Sequence, residues 1–183
     1  MVDKEALPPP RAGRRRLVVL RHAKSAWPEG VPDPQRPLAD RGRRDAPAAG
    51  RWLRAAGFRP DLVLVSPARR TRQTWNLVAD QLDEPPEAVL EPRLYHAEAE
   101  ALLEVLHELP SGAGSVLLVG HNPELQELVL GLAGKGGGKS LALAREKFPT
   151  SAIAVLDWKG GWRDLAWGGA RLRRMAVPRG LPG

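Results

Sequence analysis

A chain of 183 residues, 43% hydrophobic and 27% charged, is long enough for one domain with a full core, short for two, and too apolar for global disorder. Its 28 Lys and Arg against 21 Asp and Glu leave a net charge of +7, an arginine-rich excess that favours anionic partners such as phosphates or nucleic acid. Cysteine is absent, which excludes disulfides, thiolate nucleophiles and cysteine-ligated zinc or iron–sulfur sites.

Residues 1–16, MVDKEALPPPRAGRRR, hold no apolar run long enough for a signal-peptide core, and no later stretch reaches transmembrane length. A cytoplasmic protein without a membrane partner is the expectation. The prolines at 8 to 10 favour an extended, solvated chain, so residues 1–14 read as a flexible leader and 15–170 as the domain. Short aliphatic runs at 17–20, 62–65, 88–90 and 116–119 are near-continuously apolar, which predicts strands covered on both faces.

Helical segments separate these runs. Asp40 opens one reaching Ala56 with Gly57 as the stop, and Pro47 inside it predicts a kink or a late start. Ser66-Pro67 reads as a cap and a first-turn proline opening a helix to about Leu82. Residues 98–109 carry Leu102, Leu103, Val105, Leu106 and Leu109 at helical spacing, and Asn122-Pro123 opens a fourth helix ending near Gly131 or Gly134. The alternation predicts an α/β fold, a three-layer α/β/α sandwich with a mainly parallel sheet. Segments 152–158 and 162–167, split by Lys159-Gly160-Gly161, read as a hairpin on its edge, and 171–183 as a basic C-terminal tail with a final strand at most.

Ligands of open α/β sheets bind beyond the carboxyl ends of the strands. Three runs end there in polar stretches: Arg21-His22, SPARRTRQT at 66–74 and GHNPE at 120–124. A lone strand-end histidine is more often structural than catalytic, but here two histidines and several arginines share one rim. His96 and His107 lack that placement and read as structural or surface. Without HxxxH spacing, neither a metal site nor a cofactor is expected. AGKGGGKS at 133–140 satisfies a relaxed P-loop pattern, yet a helix precedes it where a strand is required, so residues 134–140 read as a flexible Gly-rich loop.

In this order, RHAKS at 21–25, LADRG at 38–42, SPARRTRQT, LYHA at 94–97, GHNP at 120–123 and PTSAIAVLDW at 149–158 resemble the histidine phosphatase (phosphoglycerate mutase-like) superfamily, and most of all its compact SixA-type phosphohistidine phosphatase branch. The resemblance spans residues 15–168. It implies a phosphoglycerate mutase-like fold and a metal-independent phosphatase acting through a phosphohistidine on His22. Phosphoryl transfer needs an in-line nucleophile among fixed cationic donors, and Arg21 beside His22, Arg70 in the first turns of a helix, and His121 suit that need. Neighbouring positive charge would keep His22 neutral and nucleophilic. Successive helical residues point about 100° apart, so Arg69, Arg70 and Arg72 cannot share one pocket; the SPxxR register selects Arg70, with Arg69 as the fallback.

By resemblance His121 donates to phosphoryl oxygens or bears positive charge, Ser25 stands at the small-hydroxyl position that binds phosphate, and Lys24 is an outer contact. The general acid is open among Glu124, Glu98 and His96, since Asn122 occupies the place where larger members carry an aspartate. Lack of a strong acid leans toward phosphohistidine or phosphoanhydride substrates, whose leaving groups are better. The expected partner is a phosphorylated substrate such as a phosphohistidine-bearing protein, which the lack of large inserted lids would let approach; a monomer is favoured. Two rivals stand beside this: a small-molecule phosphomonoesterase or nucleotide phosphatase, and a noncatalytic phosphate or nucleic-acid binding module. Aromatic residues do not interleave with the arginines outside 162–174, which weighs against nucleic acid. Trp27 reads as packing rather than as part of a substrate-facing loop.

Overall fold

The computed structural model describes residues 6–7, 9–134 and 138–181. In chain order they form β1 (Arg14–Arg21), α1 (Asp40–Ala55), β2 (Leu62–Val65), α2 (Arg69–Ala79), β3 (Ala88–Leu90), α3 (Ala99–His107), β4 (Ser115–Gly120), α4 (Glu124–Leu132), α5 (Gly138–Glu146), β5 (Ile153–Lys159) and β6 (Arg171–Ala176). One six-stranded sheet has the order β3-β2-β4-β1-β5-β6. β3, β2, β4 and β1 pair in parallel, whereas β5 and β6 run antiparallel along one edge.

Strand periodicity divides the aliphatic runs between two cores. Leu17, Val19, Val116 and Leu118 face α3, α4 and α5, where they meet Leu102, Leu106, Leu128 and Leu132. Val18, Leu20, Leu117 and Val119 face the other way and meet Leu53 of α1 with Trp75 and Val78 of α2. These eight strand side chains are completely buried, each stabilising the fold by about 1.5–3 kcal/mol relative to exposure. The sheet is therefore the middle of three layers, as the uninterrupted apolar runs imply.

The edge hairpin has a different second strand from the one expected. Trp162–Asp164 form a 3-10 turn in which Trp162 is buried edge-on against Trp158 and donates its indole N–H to the Ala113 carbonyl at 2.7 Å. That segment satisfies a large ring and its polar atom better beneath the sheet than along it. Arg171–Ala176 takes the strand role, so the basic tail expected from 171 begins as β6. Its continuation is held as well: Arg179 Nη1 donates to Asp45 Oδ2 and to the Thr150 carbonyl, each at 2.9 Å, and the Gly180 N–H donates to Asp45 Oδ1 at 3.0 Å. Asp45 is buried in α1, and a carboxylate there requires such donors.

The leader expected over 1–14 is also shorter than its composition suggests. Leu7 is buried in the core under α1, its N–H donating to the Ala56 carbonyl at 2.6 Å, and β1 begins at Arg14; residues 1–5 and 8 lie outside the described residues. α1 runs through Pro47 without a late start, because the carbonyl its missing N–H leaves free belongs to exposed Arg43. Gly138, Lys139 and Ser140 of the expected Gly-rich loop form the start of α5 rather than loop, while 135–137 lie outside the described residues. α4 precedes this stretch, so the strand that a P-loop requires is not there.

Gly42 of the LADRG stretch has a packing reason. A Cβ there would fall onto the backbone carbonyl oxygen of Lys24, which accepts the Ala39 N–H at 2.9 Å. Gly42→Ala therefore has to push α1 away from the turn that follows β1. Its unfolding free energy is expected to fall by about 1–3 kcal/mol, measured by urea denaturation.

Candidate active site

Register is what assembles the site. Arg21 stands opposite Gly120 in the parallel β1–β4 pair, and the His22 N–H donates to the Gly120 carbonyl at 2.9 Å. The next residue on each strand is a histidine, so His22 and His121 come side by side with ring centroids 5.3 Å apart and planes tilted by 58°. β2 ends on the other side of β4, where the Ser66 N–H donates to the Val119 carbonyl at 3.0 Å and Ser66 Oγ lies 2.7 Å from His121 Nε2. Ser66 is thus not the helix cap expected of it: α2 begins at Arg69 behind Ala68, and the hydroxyl serves the histidine.

One face of α2 holds the loops around these strand ends. Arg70, Gln73 and Thr74 fall at i, i+3 and i+4. Gln73 Oε1 accepts the Leu38 N–H at 2.8 Å, and Thr74 Oγ1 accepts the Ala23 N–H at 3.0 Å while donating to the Arg70 carbonyl at 2.7 Å. Arg70 is buried and Arg69 and Arg72 are exposed. Arg70 reaches the segment between β1 and α1, donating through Nη1 to the Asp33 carbonyl at 2.8 Å and through Nη2 to Asp33 Oδ2 at 3.0 Å. Arg36 meets the same carboxylate at Oδ1 and donates to Ser25 Oγ at 2.7 Å, with its guanidinium over the ring of Trp27. Tyr95 completes the group, donating its hydroxyl to Asp33 Oδ2 at 2.7 Å and packing edge-on against His121.

His22 Nδ1 lies 2.7 Å from the Ala23 carbonyl, which can only accept, so Nδ1 carries the proton and Nε2 keeps a lone pair. Burial foremost, then the charges of Arg70, Arg21 and Arg36, push the His22 pKa down to about 3 against the opposing Ala23 hydrogen bond. Burial also leads for His121, followed by His22 and Arg70, again down to about 3. Both rings are neutral near pH 7. Arg21 is fixed by donation from Nη1 to the Phe148 carbonyl at 2.8 Å, and the Ser151 N–H closes over the Arg21 and His22 carbonyls at 3.2 Å each. Arg21 Nε and His121 Nδ1 are buried without a hydrogen-bond partner. Buried polar atoms of this kind call for an outside partner, and the arginines around them favour an anion.

Among the described residues no group of three or more His, Cys, Asp or Glu is placed to hold a metal ion. No helix among them is long and apolar enough to cross a membrane.

Comparison with known proteins agrees with this geometry. Residues 17–96 match the family model of the histidine phosphatase superfamily (branch 1). The chain is 43% identical over 162 residues to the uncharacterized protein Rv1276c of Mycobacterium tuberculosis, covering 87% of this chain and 100% of that one. It is 32% identical over 148 residues to the phosphohistidine phosphatase SixA of Escherichia coli, covering 79% of this chain and 87% of that one. Among solved structures, SixA from Nakamurella multipartitia superposes with a TM-score of 0.78 at 33% identity, covering 91% and 98% of the two chains. A protein histidine phosphatase SixA complexed with tungstate gives 0.74 at 27%, covering 89% and 97%. The chain belongs to the histidine phosphatase superfamily, in its SixA-type branch, with the phosphoglycerate mutase-like fold. It is a hydrolase of the phosphatase class, and the noncatalytic binding module is set aside.

Of the residues singled out from the sequence, His22, Arg21, Arg70 and His121 converge. Ser25 is buried beside them, its oxygen engaged by Arg36. Lys24 is exposed. Glu124 opens α4 with a buried, unpartnered Oε2 and acts electrostatically on Arg21, whereas His96 is exposed and touches the site through its ring contact with Tyr95. Glu98 is exposed ahead of α3 and makes no side-chain cap. Trp27 is 75% exposed, not packed. Asp33, Arg36, Ser66 and Tyr95 were not foreseen. The charged DPQR stretch between β1 and α1 was the available signal for two of them.

Depressed histidine pKa values set a pH dependence. An unfolded chain takes up a proton at His22 and at His121 near pH 6.5, whereas the folded chain does so only near 3. The stability conferred by these neutral rings is complete above 6.5 and drains as pH falls toward 3, by up to about 1.4 kcal/mol per pH unit for each ring. In NMR titrations the two Cε1–H resonances are expected to stay at neutral positions from about pH 7.5 to 4.5 and to move toward the protonated position once inorganic phosphate is added.

Proposed function

We propose that the protein hydrolyses phosphohistidine on a protein substrate, with His22 as the nucleophile. The observation that carries this reading is the pairing of a bare His22 Nε2 with two unpartnered buried nitrogens, Arg21 Nε and His121 Nδ1. The names of the SixA relatives and the tungstate held by one of them, an oxyanion of phosphate shape, support it.

Mechanistically, the Nε2 lone pair attacks phosphorus while the bond to the leaving group breaks and its electron pair departs with that group. Charge spreads over three equatorial oxygens in the transition state, where Arg21, Arg70 and His121 supply fixed donors. Nδ1–H stays on the His22 ring throughout, and its hydrogen bond to the Ala23 carbonyl strengthens as the ring becomes cationic. Water then attacks the phosphoryl group from the vacated side, the N–P bond breaks with its pair returning to Nε2, and orthophosphate leaves. The low pKa of the free ring matters before the first step, since a protonated Nε2 has no pair to give. A phosphorylated protein approaching from outside is compatible with the exposed Trp27 stacked over the buried Arg36 guanidinium.

His22→Ala is expected to lower kcat/KM by about 10⁴-fold or more toward both para-nitrophenyl phosphate and a phosphohistidine protein, with EDTA leaving wild-type turnover unchanged. Rapid quench of the wild type in alkaline detergent should trap an alkali-stable phosphoenzyme, lost on later acid treatment, that His22→Ala lacks. Turnover surviving in the variant would overturn the nucleophile assignment. Turnover of para-nitrophenyl phosphate without turnover of phosphohistidine would favour the small-molecule reading instead.

A further inference from the structure

The carboxylate of Asp33 lies where a phosphatase has most reason to avoid negative charge. It accepts from Arg36 Nη1 at Oδ1, and from Arg70 Nη2 and the Tyr95 hydroxyl at Oδ2, at 2.8, 3.0 and 2.7 Å. The donors come from its own loop, from α2 and from the segment after β3; His121, just past β4, lies close enough to feel its charge. A carboxylate offers about four lone-pair sites. Three are occupied, which leaves one on Oδ1, and the side chain is 39% exposed, toward solvent rather than core.

Partial burial would raise its pKa, but the hydrogen bonds from Tyr95, Arg36 and Arg70 outweigh burial and hold it well below the usual carboxylate range. Asp33 is thus a permanent anion beside the phosphoryl-binding arginine. It has no proton to donate near neutral pH, so it cannot serve as a general acid for an oxygen leaving group, and it repels the negative charge that such a group develops. A leaving group bearing an N–H is the opposite case, because a carboxylate accepts that hydrogen and stabilises positive charge behind it.

We infer that Asp33 is a specificity-determining residue that accepts the N–H of the leaving imidazole, so that the site selects phosphoryl groups bound to a ring nitrogen over those bound to oxygen. The inference rests on the reading of the protein as a phosphohistidine phosphatase. In the step it describes, the substrate P–N bond breaks and its electron pair returns to the nitrogen that carried phosphorus. The other ring nitrogen keeps its proton, held by Asp33 Oδ1, and imidazole leaves neutral. No proton donor is required, which fits a site where Glu98 is exposed and Glu124 acts on Arg21. The same anion partly offsets Arg70 and loosens the hold on product phosphate.

The test compares wild type, Asp33→Asn and Asp33→Glu on a phosphohistidine protein and on para-nitrophenyl phosphate, with orthophosphate binding measured by calorimetry. Asp33→Asn should cut the preference for phosphohistidine by about tenfold or more, the effect of one pKa unit at the leaving nitrogen, and bind orthophosphate several-fold more tightly. The alkaline limb of its phosphohistidine kcat/KM should move down by about one pH unit. Asp33→Glu keeps the charge and should keep the preference to within about threefold, so the idea stays testable even where the amide variant folds poorly. An unchanged preference in Asp33→Asn, or equal loss on both substrates together with lost orthophosphate binding, would show that Asp33 merely holds Arg70, and the inference would fall. A wild type that turns over para-nitrophenyl phosphate but no phosphohistidine overturns the substrate reading first, before any variant is compared.

Discussion

The parallel pairing of β1 with β4, with Arg21 opposite Gly120, is the constraint on which the rest of the molecule depends. Two strands in this register carry their following residues forward together, and both of those residues are histidines. A slip of one residue would send every aliphatic side chain of β1 to the wrong core and separate His22 from His121. The eight buried aliphatic residues of β1 and β4 therefore protect the pairing of His22 with His121 as much as they stabilise the sheet. Hydrophobic burial sets the position, and position sets the chemistry.

Concentrated positive charge at that rim has to be tolerated before substrate arrives. Part of the solution is that the histidines remain neutral, because burial and the arginines both disfavour imidazolium. The other part is Asp33, which supplies a counter-charge to Arg70 and Arg36 from a loop at the mouth. Neutral histidines and charge balance thus come from the same few groups, at a cost in stability under acid.

The sheet, its mainly parallel architecture with an edge hairpin, and the gathering of Arg21, His22, Arg70 and His121 at one rim could be read from the sequence because each depends on local signals: continuous aliphatic runs, and polar residues at their ends. SPARRTRQT illustrates how far a motif can be read. Burial of Arg70 and exposure of Arg69 follow from helical geometry, but that Gln73 and Thr74 hold the backbones of Leu38 and Ala23 depends on loops whose course no periodicity encodes. Asp33, Arg36 and Tyr95 meet across 62 residues of chain, and only the folded arrangement makes them neighbours. The misplaced hairpin strand has a related cause. Trp162 and Trp167 suggest β propensity, whereas burial of Trp162 with its N–H satisfied by Ala113 outweighs strand pairing. The leader and tail were underestimated because a single Leu7 and a single Asp45 anchor segments whose average composition is that of solvated chain.

Trp27 gives the mouth of the site an optical property. Its indole is exposed, and it carries the Arg36 guanidinium on its face, the same guanidinium that reaches Ser25 and Asp33. Tryptophan emission responds to a cation on the ring and to the polarity around it, so the electronic state of this one side chain is linked through Arg36 to the arginine–carboxylate cluster of Asp33 and Arg70. One ring stack and two hydrogen bonds separate the Trp27 indole from Arg70.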